Sequence, residues 1–140
     1  GAAGTIALTL VPYEAAAAPE DLAAALKTIL GDKQLQNGRV KIEIPPLADN
    51  GNSVPCKVSV DSPMTPEDHV KAIHLILARN PRPWAISVFP ARDAPAAWFE
   101  TRIRLAASQR LMAVAVMNDD SFWNGAVDVV VSVSACVDGS

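Results

Sequence analysis

Two cysteines carry the strongest nucleophiles in this 140-residue chain, and their surroundings give them different work. Cys136 follows an apolar, strand-like run over residues 125–134. In that run Val127, Val129, Val131 and Val133 fall on one face, with Asp128, Val130, Ser132 and Ser134 on the other. Continuing the pleat puts Cys136 on the more polar face, where a thiol near the chain end can be presented to other proteins. The plainer reading is a free cysteine on a frayed terminus. Cys56 lies in a different pattern: Val54, Cys56, Val58 and Val60 alternate with Pro55, Lys57, Ser59 and Asp61, so its sulfur points into a core. A Cys56–Cys136 bridge would close a loop of about 80 residues and stabilise by ~4 kcal/mol. It requires the chain to turn after Ser134, because one sulfur faces inward and the other outward.

Other chemistry is weaker. His69 and His74 could join the cysteines at a metal, but no close-spaced Cys or His pair exists, so no metal or cofactor is expected. Asp119 and Asp120 read as a turn between strands rather than a catalytic acid pair. Gly51 sits in a turn without phosphate-loop spacing. Arg102 and Arg104 alternate with Ile103 and Leu105, sharing a face with Trp98 and Glu100. A solvated strand face is the plain reading of that set. The functional one is a partner surface at Trp98, Arg102 and Arg104, because arginine and tryptophan concentrate at interface centres.

A net charge of -3 and a pI near 5.2 give no electrostatic reason to bind nucleic acid or an anionic membrane. No apolar stretch approaches the roughly 20 residues of a membrane-spanning helix, and no basic, hydrophobic export signal opens the chain. The expectation is either a cytosolic protein or a mature form whose signal has been removed. Half of the residues are hydrophobic, enough for one domain with a sizeable core.

These residues must be positioned by a short list of elements. Residues 1–18 form an alanine-rich extension with a weak alternation at Ile6, Leu8 and Leu10 and a linker at 15–18. Pro19, Glu20 and Asp21 open a helix whose stripe is Leu22, Leu26, Ile29 and Leu30, and Gly31 ends it. Alternating runs then follow at 40–44, 54–60, 85–89, 99–105, 111–117 and 126–134. Residues 70–77 suit either a helix or a buried strand. Thr65-Pro-Glu-Asp68 has the form of a helix cap, while the flanking strands and the Asn80-Pro-Arg-Pro83 stop favour a strand. The predicted class is an all-β antiparallel sandwich over residues 19–134 with an N-terminal α-helix, followed by an arm over 135–140. Its uncovered edges, three tryptophans and valine-rich last strand predict a preferred protein partner, and self-association without one.

Several segments together carry a resemblance. Asp49-Asn-Gly-Asn-Ser-Val-Pro55, Val58-Ser-Val-Asp-Ser-Pro-Met64, Val70-Lys-Ala-Ile-His74, Asn80-Pro-Arg-Pro83, Thr101-Arg-Ile-Arg-Leu-Ala106, Ser108-Gln109 and Ser121-Phe-Trp123 follow in the order and spacing of the SoxY family. That family supplies the sulfur-carrier subunit of the bacterial thiosulfate-oxidising Sox system, and the resemblance runs from about Glu20 to Cys136. It implies an immunoglobulin-like sandwich, a periplasmic location, a heterodimer with a SoxZ-like subunit, and Sox enzymes that load and process the carrier. It also implies that Cys136 holds sulfur intermediates covalently.

In the family the carrier cysteine lies within a terminal Gly-Gly-Cys-Gly-Gly. Here the arm reads Ala135, Cys136, Val137, Asp138, Gly139, so the nearest flanking glycines are replaced. Ala135 and Val137 stiffen and thicken the arm. Asp138 sets a negative charge near the sulfur, which disfavours the thiolate. The chain thus reads as a non-enzymatic carrier activated in its partners' sites. The alternative is a SoxY-like binding module that no longer carries sulfur.

Overall fold

The computed structural model describes residues 19–132, so the extension at 1–18, its linker, Cys136 and the 135–140 arm lie outside the described residues. The helix forms as expected. α1 (Pro19–Leu30) ends at Gly31, whose φ of 62° suits glycine and whose N–H donates to the Lys27 carbonyl.

Nine strands follow: β1 (Leu35–Asn37), β2 (Val40–Glu43), β3 (Leu47–Ala48), β4 (Val54–Val60), β5 (Val70–Leu77), β6 (Trp84–Val88), β7 (Ala97–Ile103), β8 (Gln109–Met117) and β9 (Phe122–Val131). They form two sheets. The larger runs β1-β9-β8-β5-β6 with β3 also on β9, and the smaller runs β2-β4-β7. The long ladders are antiparallel as predicted. β1 and β3 differ, each pairing β9 in parallel, and neither was visible in the sequence because three- and two-residue strands carry no period.

Three layers result. Between the sheets lies the main core of Val54, Cys56, Val58, Ile73, Leu75, Leu111, Ala113 and Val129, all buried. On the other side of the larger sheet, Ile76, Val114 and Phe122 pack under Leu22, Leu26, Ile29 and Leu30 of α1. The expected inward parity of Cys56 and of the valines at 127, 129 and 131 is therefore what the structure shows. Residues 70–77 are a strand. Thr65 still makes the cap-like contact, its hydroxyl accepting from the Asp68 N–H at 3.1 Å. No helix follows, because β6 and β8 flank the segment and take up its backbone groups.

Asp119 and Asp120 form the expected β8–β9 turn, Asp120 at a φ of 65° with its N–H donating to the Met117 carbonyl. The hydroxyl and N–H of Ser121 both donate to Asp119, and with them hold its carboxyl below the usual range.

The two histidines are held separately. His69 Nδ1 lies 2.9 Å from the Thr65 carbonyl, while His74 Nδ1 lies 2.8 Å from the Ser87 hydroxyl, which also accepts from the Trp84 indole N–H. The His74 ring meets the Trp84 ring edge-on at 5.2 Å. Burial lowers the His74 pKa from 6.5. Below 6.5 the unfolded chain therefore takes up a proton that the folded chain resists, so this group's contribution is intact above that pH and is lost on acidification. Urea midpoints should fall between about pH 7 and about pH 5, and His74→Gln should flatten that slope. An unchanged slope in the variant would remove His74 as the cause.

Candidate functional site

The site is the end of the sandwich from which β9 leads toward Cys136. β9 is gripped there on both sides. Toward β3, the Val130 N–H donates to the Pro46 carbonyl and the Ser132 N–H to the Ala48 carbonyl, both at 2.9 Å. Toward β8, the Val131 N–H donates to the Ser108 hydroxyl at 2.8 Å. The strand is thus fixed up to the last described residue. Cys136 is four positions beyond Ser132 in the sequence, a reach of at most about 14 Å for an extended chain.

Behind this grip is a polar lock. Gln109, 7% exposed and paired with Val129 of β9, is the one buried polar side chain among the described residues. Its Nε2 donates to Asn80 Oδ1 and to the Ala107 carbonyl, both at 2.9 Å, and its Oε1 accepts from the Arg79 N–H at 3.0 Å. Asn80 Oδ1 also accepts from the Ala106 N–H, and Asn80 Nδ2 donates to the Arg104 carbonyl at 2.7 Å. Every polar atom of both amides is used, which makes such a network specific rather than costly. The sequence displayed Asn80, Ser108 and Gln109 without assigning them work. Their partners lie in other strands, so no local pattern could have shown it.

Charge separates along the strands. Asn80 joins the ends of β5 and β7, and there the chain places Arg79, Arg82, Arg102 and Arg104. The opposite end holds Asp61, Glu67, Asp68, Asp119 and Asp120 against Arg39 and Lys71, with Arg39–Asp68 and Lys71–Asp120 ion pairs. The Arg39 guanidinium also lies 5.1 Å from the centroid of the Trp123 ring.

The proposed surface residues fall as follows. Trp98 is 51% exposed, with the Lys57 ammonium 5.0 Å from its ring centroid. Arg102 on β7 donates to the Ser53 hydroxyl at 3.2 Å, and Arg104 follows one residue after the strand. Cys56 is 3% exposed, and burial pushes its thiol up to about 11. It is a neutral packing group at ordinary pH, unsuited to nucleophilic chemistry. No group of three or more His, Cys, Asp or Glu side chains is placed to hold a metal among the described residues. No helix there is long and apolar enough to cross a membrane.

Two sheets, Greek-key-like exchange between them and one covering helix define an immunoglobulin-like β-sandwich domain. The chain belongs to the SoxY family, described as sulfur oxidation protein SoxY, which matches residues 26–136. A similar solved structure is the sulfur carrier protein SoxY from Chlorobium limicola f thiosulfatophilum, 21% identical with a TM-score of 0.68, covering 83% of this chain and 100% of that one. Superoxide reductase (neelaredoxin) from Ignicoccus hospitalis is also similar, at 19% identity and a TM-score of 0.51, covering 87% and 99%. So is a putative superoxide reductase from Thermotoga maritima, at 20% identity and a TM-score of 0.52, covering 74% and 89%. At these identities the likenesses establish the fold. A search of curated protein sequences returned no match.

Proposed function

We propose that this protein is a covalent sulfur carrier of periplasmic thiosulfate oxidation, with Cys136 as the attachment point. The observation that carries this reading is that the family match extends to Cys136 itself. Two further observations support it. Cys56 is buried and held as a thiol, and β9 is gripped up to Ser132, so a short arm would start from a fixed origin.

In the proposed cycle the Cys136 thiolate and the outer sulfur of thiosulfate each contribute to a new S–S bond, and a partner enzyme accepts the two electrons released. Water then attacks the terminal sulfonate. Sulfate and two protons leave, and a persulfide stays on the cysteine. The carrier supplies a nucleophile and reach. Its thiol is only a few per cent ionised at neutral pH without outside help, so activation belongs to the partner's site. The chain itself is then no enzyme.

A SoxZ-like subunit is the expected companion. Trp84 and Phe89, 37% and 70% exposed at the β6 edge, and Leu47 and Val130, 55% and 57% exposed where β3 pairs with the end of β9, offer apolar surface for one. Light scattering on the mixed subunits, followed by intact mass after thiosulfate and the oxidising partner, tests the proposal. The expected result is a heterodimer carrying a reductant-labile adduct. A chain that ignores the SoxZ-like subunit and gains no mass would leave only the binding-module reading.

A further inference from the structure

An asparagine followed by glycine is prone to lose its side-chain amide, because without a Cβ in the way the glycine nitrogen can reach the asparagine Cγ. The chain has three such pairs, Asn37–Gly38, Asn50–Gly51 and Asn124–Gly125. The fold treats them differently. Asn124 lies within β9 between β1 and β8, and Gly125 beside it is pressed against Val40. Closing a five-membered ring there would take ψ of Asn124 out of the strand region and break the ladder. Asn37 is in β1, and the nitrogen that would attack it is engaged, the Gly38 N–H donating to the Asn124 carbonyl at 3.1 Å. A bonded N–H gives up its proton only at the cost of that bond.

Asn50–Gly51 has neither protection. Asn50 is exposed in the turn between β3 and β4, and the Gly51 N–H makes no hydrogen bond among the described residues. The Asn52 N–H donates to Asn50 Oδ1 at 2.8 Å, which draws charge onto that oxygen and leaves Cγ more electrophilic, as a fixed donor does at any acyl centre. We propose that Asn50 is a spontaneous modification site, converting to aspartate and isoaspartate in the folded protein. The Gly51 nitrogen, its proton lost to hydroxide, bonds to Cγ, and the Cγ–Nδ2 bond breaks as ammonia leaves. Water then opens the cyclic imide. Opening at the former side-chain carbonyl gives aspartate on an ordinary backbone, whereas opening at the backbone carbonyl routes the chain through Cβ and Cγ and lengthens it by one carbon. The segment that must absorb this is clamped at both ends, the Ala48 carbonyl by the Ser132 N–H at 2.9 Å and the Gly51 carbonyl by the Leu105 N–H at 2.8 Å. Both bonds cannot be kept across a longer backbone, so isoaspartate at position 50 loosens β3 from the end of β9.

The test is ageing of the folded full chain at neutral and mildly alkaline pH, followed by peptide mapping and by labelling with an isoaspartyl methyltransferase. The Asn50 peptide should convert at least about 10-fold faster than the Asn37 and Asn124 peptides, the equivalent of one hydrogen bond. Its rate should rise about 10-fold per pH unit, as the ionised fraction of any weak acid does below its pKa. In urea the three peptides should convert at similar rates, so that the ranking belongs to the fold. In the purified isoaspartate form the Ser132 amide should exchange with deuterium about 10-fold faster than in the parent. Asn50→Asp, which adds the charge without the extra backbone carbon, should exchange as the parent does. An Asn50 amide that survives in the folded chain while the urea sample loses it, or Asn37 or Asn124 converting as fast as Asn50 in the folded chain, would overturn the site. Unchanged Ser132 exchange in the isoaspartate form would overturn its effect on β9. None of these readouts involves Cys136, so they stand apart from sulfur loading.

Discussion

Cys136→Ser should abolish the reductant-labile adduct altogether, and Cys56→Ala should leave it intact. The contrast follows from solvation. Moving a thiolate into the environment of Cys56 is disfavoured enough to raise that pKa to about 11, so at neutral pH the ionised fraction there is on the order of one in ten thousand. A thiol outside the core has no such barrier. Cys56→Ala should instead cost stability, about 1 kcal/mol for the lost packing, visible in a urea melt. An adduct that persists in the Cys136→Ser protein would transfer the chemistry to Cys56 and defeat the carrier reading.

Gly125→Ala should destabilise the domain by about 3 kcal/mol, lowering the melting temperature by roughly 12 °C for a domain of this size. Gly125 lies where β9 of the larger sheet passes close to Val40 of β2 in the smaller one. A Cβ there would strike the Val40 carbonyl, lying 2.9 Å from its carbon. Both atoms are backbone, so relief means moving a strand rather than turning a side chain. Gly31→Ala separates this from loss of glycine's freedom: it sits at a φ of 62° with nothing within 4 Å of the added atom. It should cost about 1 kcal/mol from backbone strain alone. Equal losses in the two variants would mean that the contact contributes nothing.

The legibility of these features in the sequence followed the number of faces each element buries. β4 and β7 bury one face, so Cys56 inward and Trp98 outward could be read directly from alternation. β5 buries residues on both faces, against the smaller sheet and under α1, and its period vanished into a run that also suited a helix. The start of β9 is hidden for the same reason: Phe122 packs beneath α1 while Trp123 packs toward the sandwich core, so a strand-like alternation emerges only from about residue 125. α1 stood out because its stripe, proline start and glycine stop are all local.

The proposed nucleophile is legible in the sequence, whereas the surroundings of β9 are not. Alternation alone puts Cys56 in the core, where the structure has it, but the Asn80–Gln109 lock joins residues 29 positions apart, and the grip of β3 on β9 involves a two-residue strand. Alternation puts Arg102 and Arg104 on one strand face with Trp98. Their company with Arg82 depends on the two sheets meeting at their edges, which no single-strand pattern contains.

The central claim is that sulfur rides on Cys136. Its most direct test is non-reducing peptide mapping of the wild-type chain after exposure to thiosulfate and the oxidising partner. The account predicts the adduct on the peptide containing Cys136, and an unmodified thiol on the peptide containing Cys56. Sulfur found on Cys56, or Cys136 recovered only in a disulfide with Cys56, would contradict it.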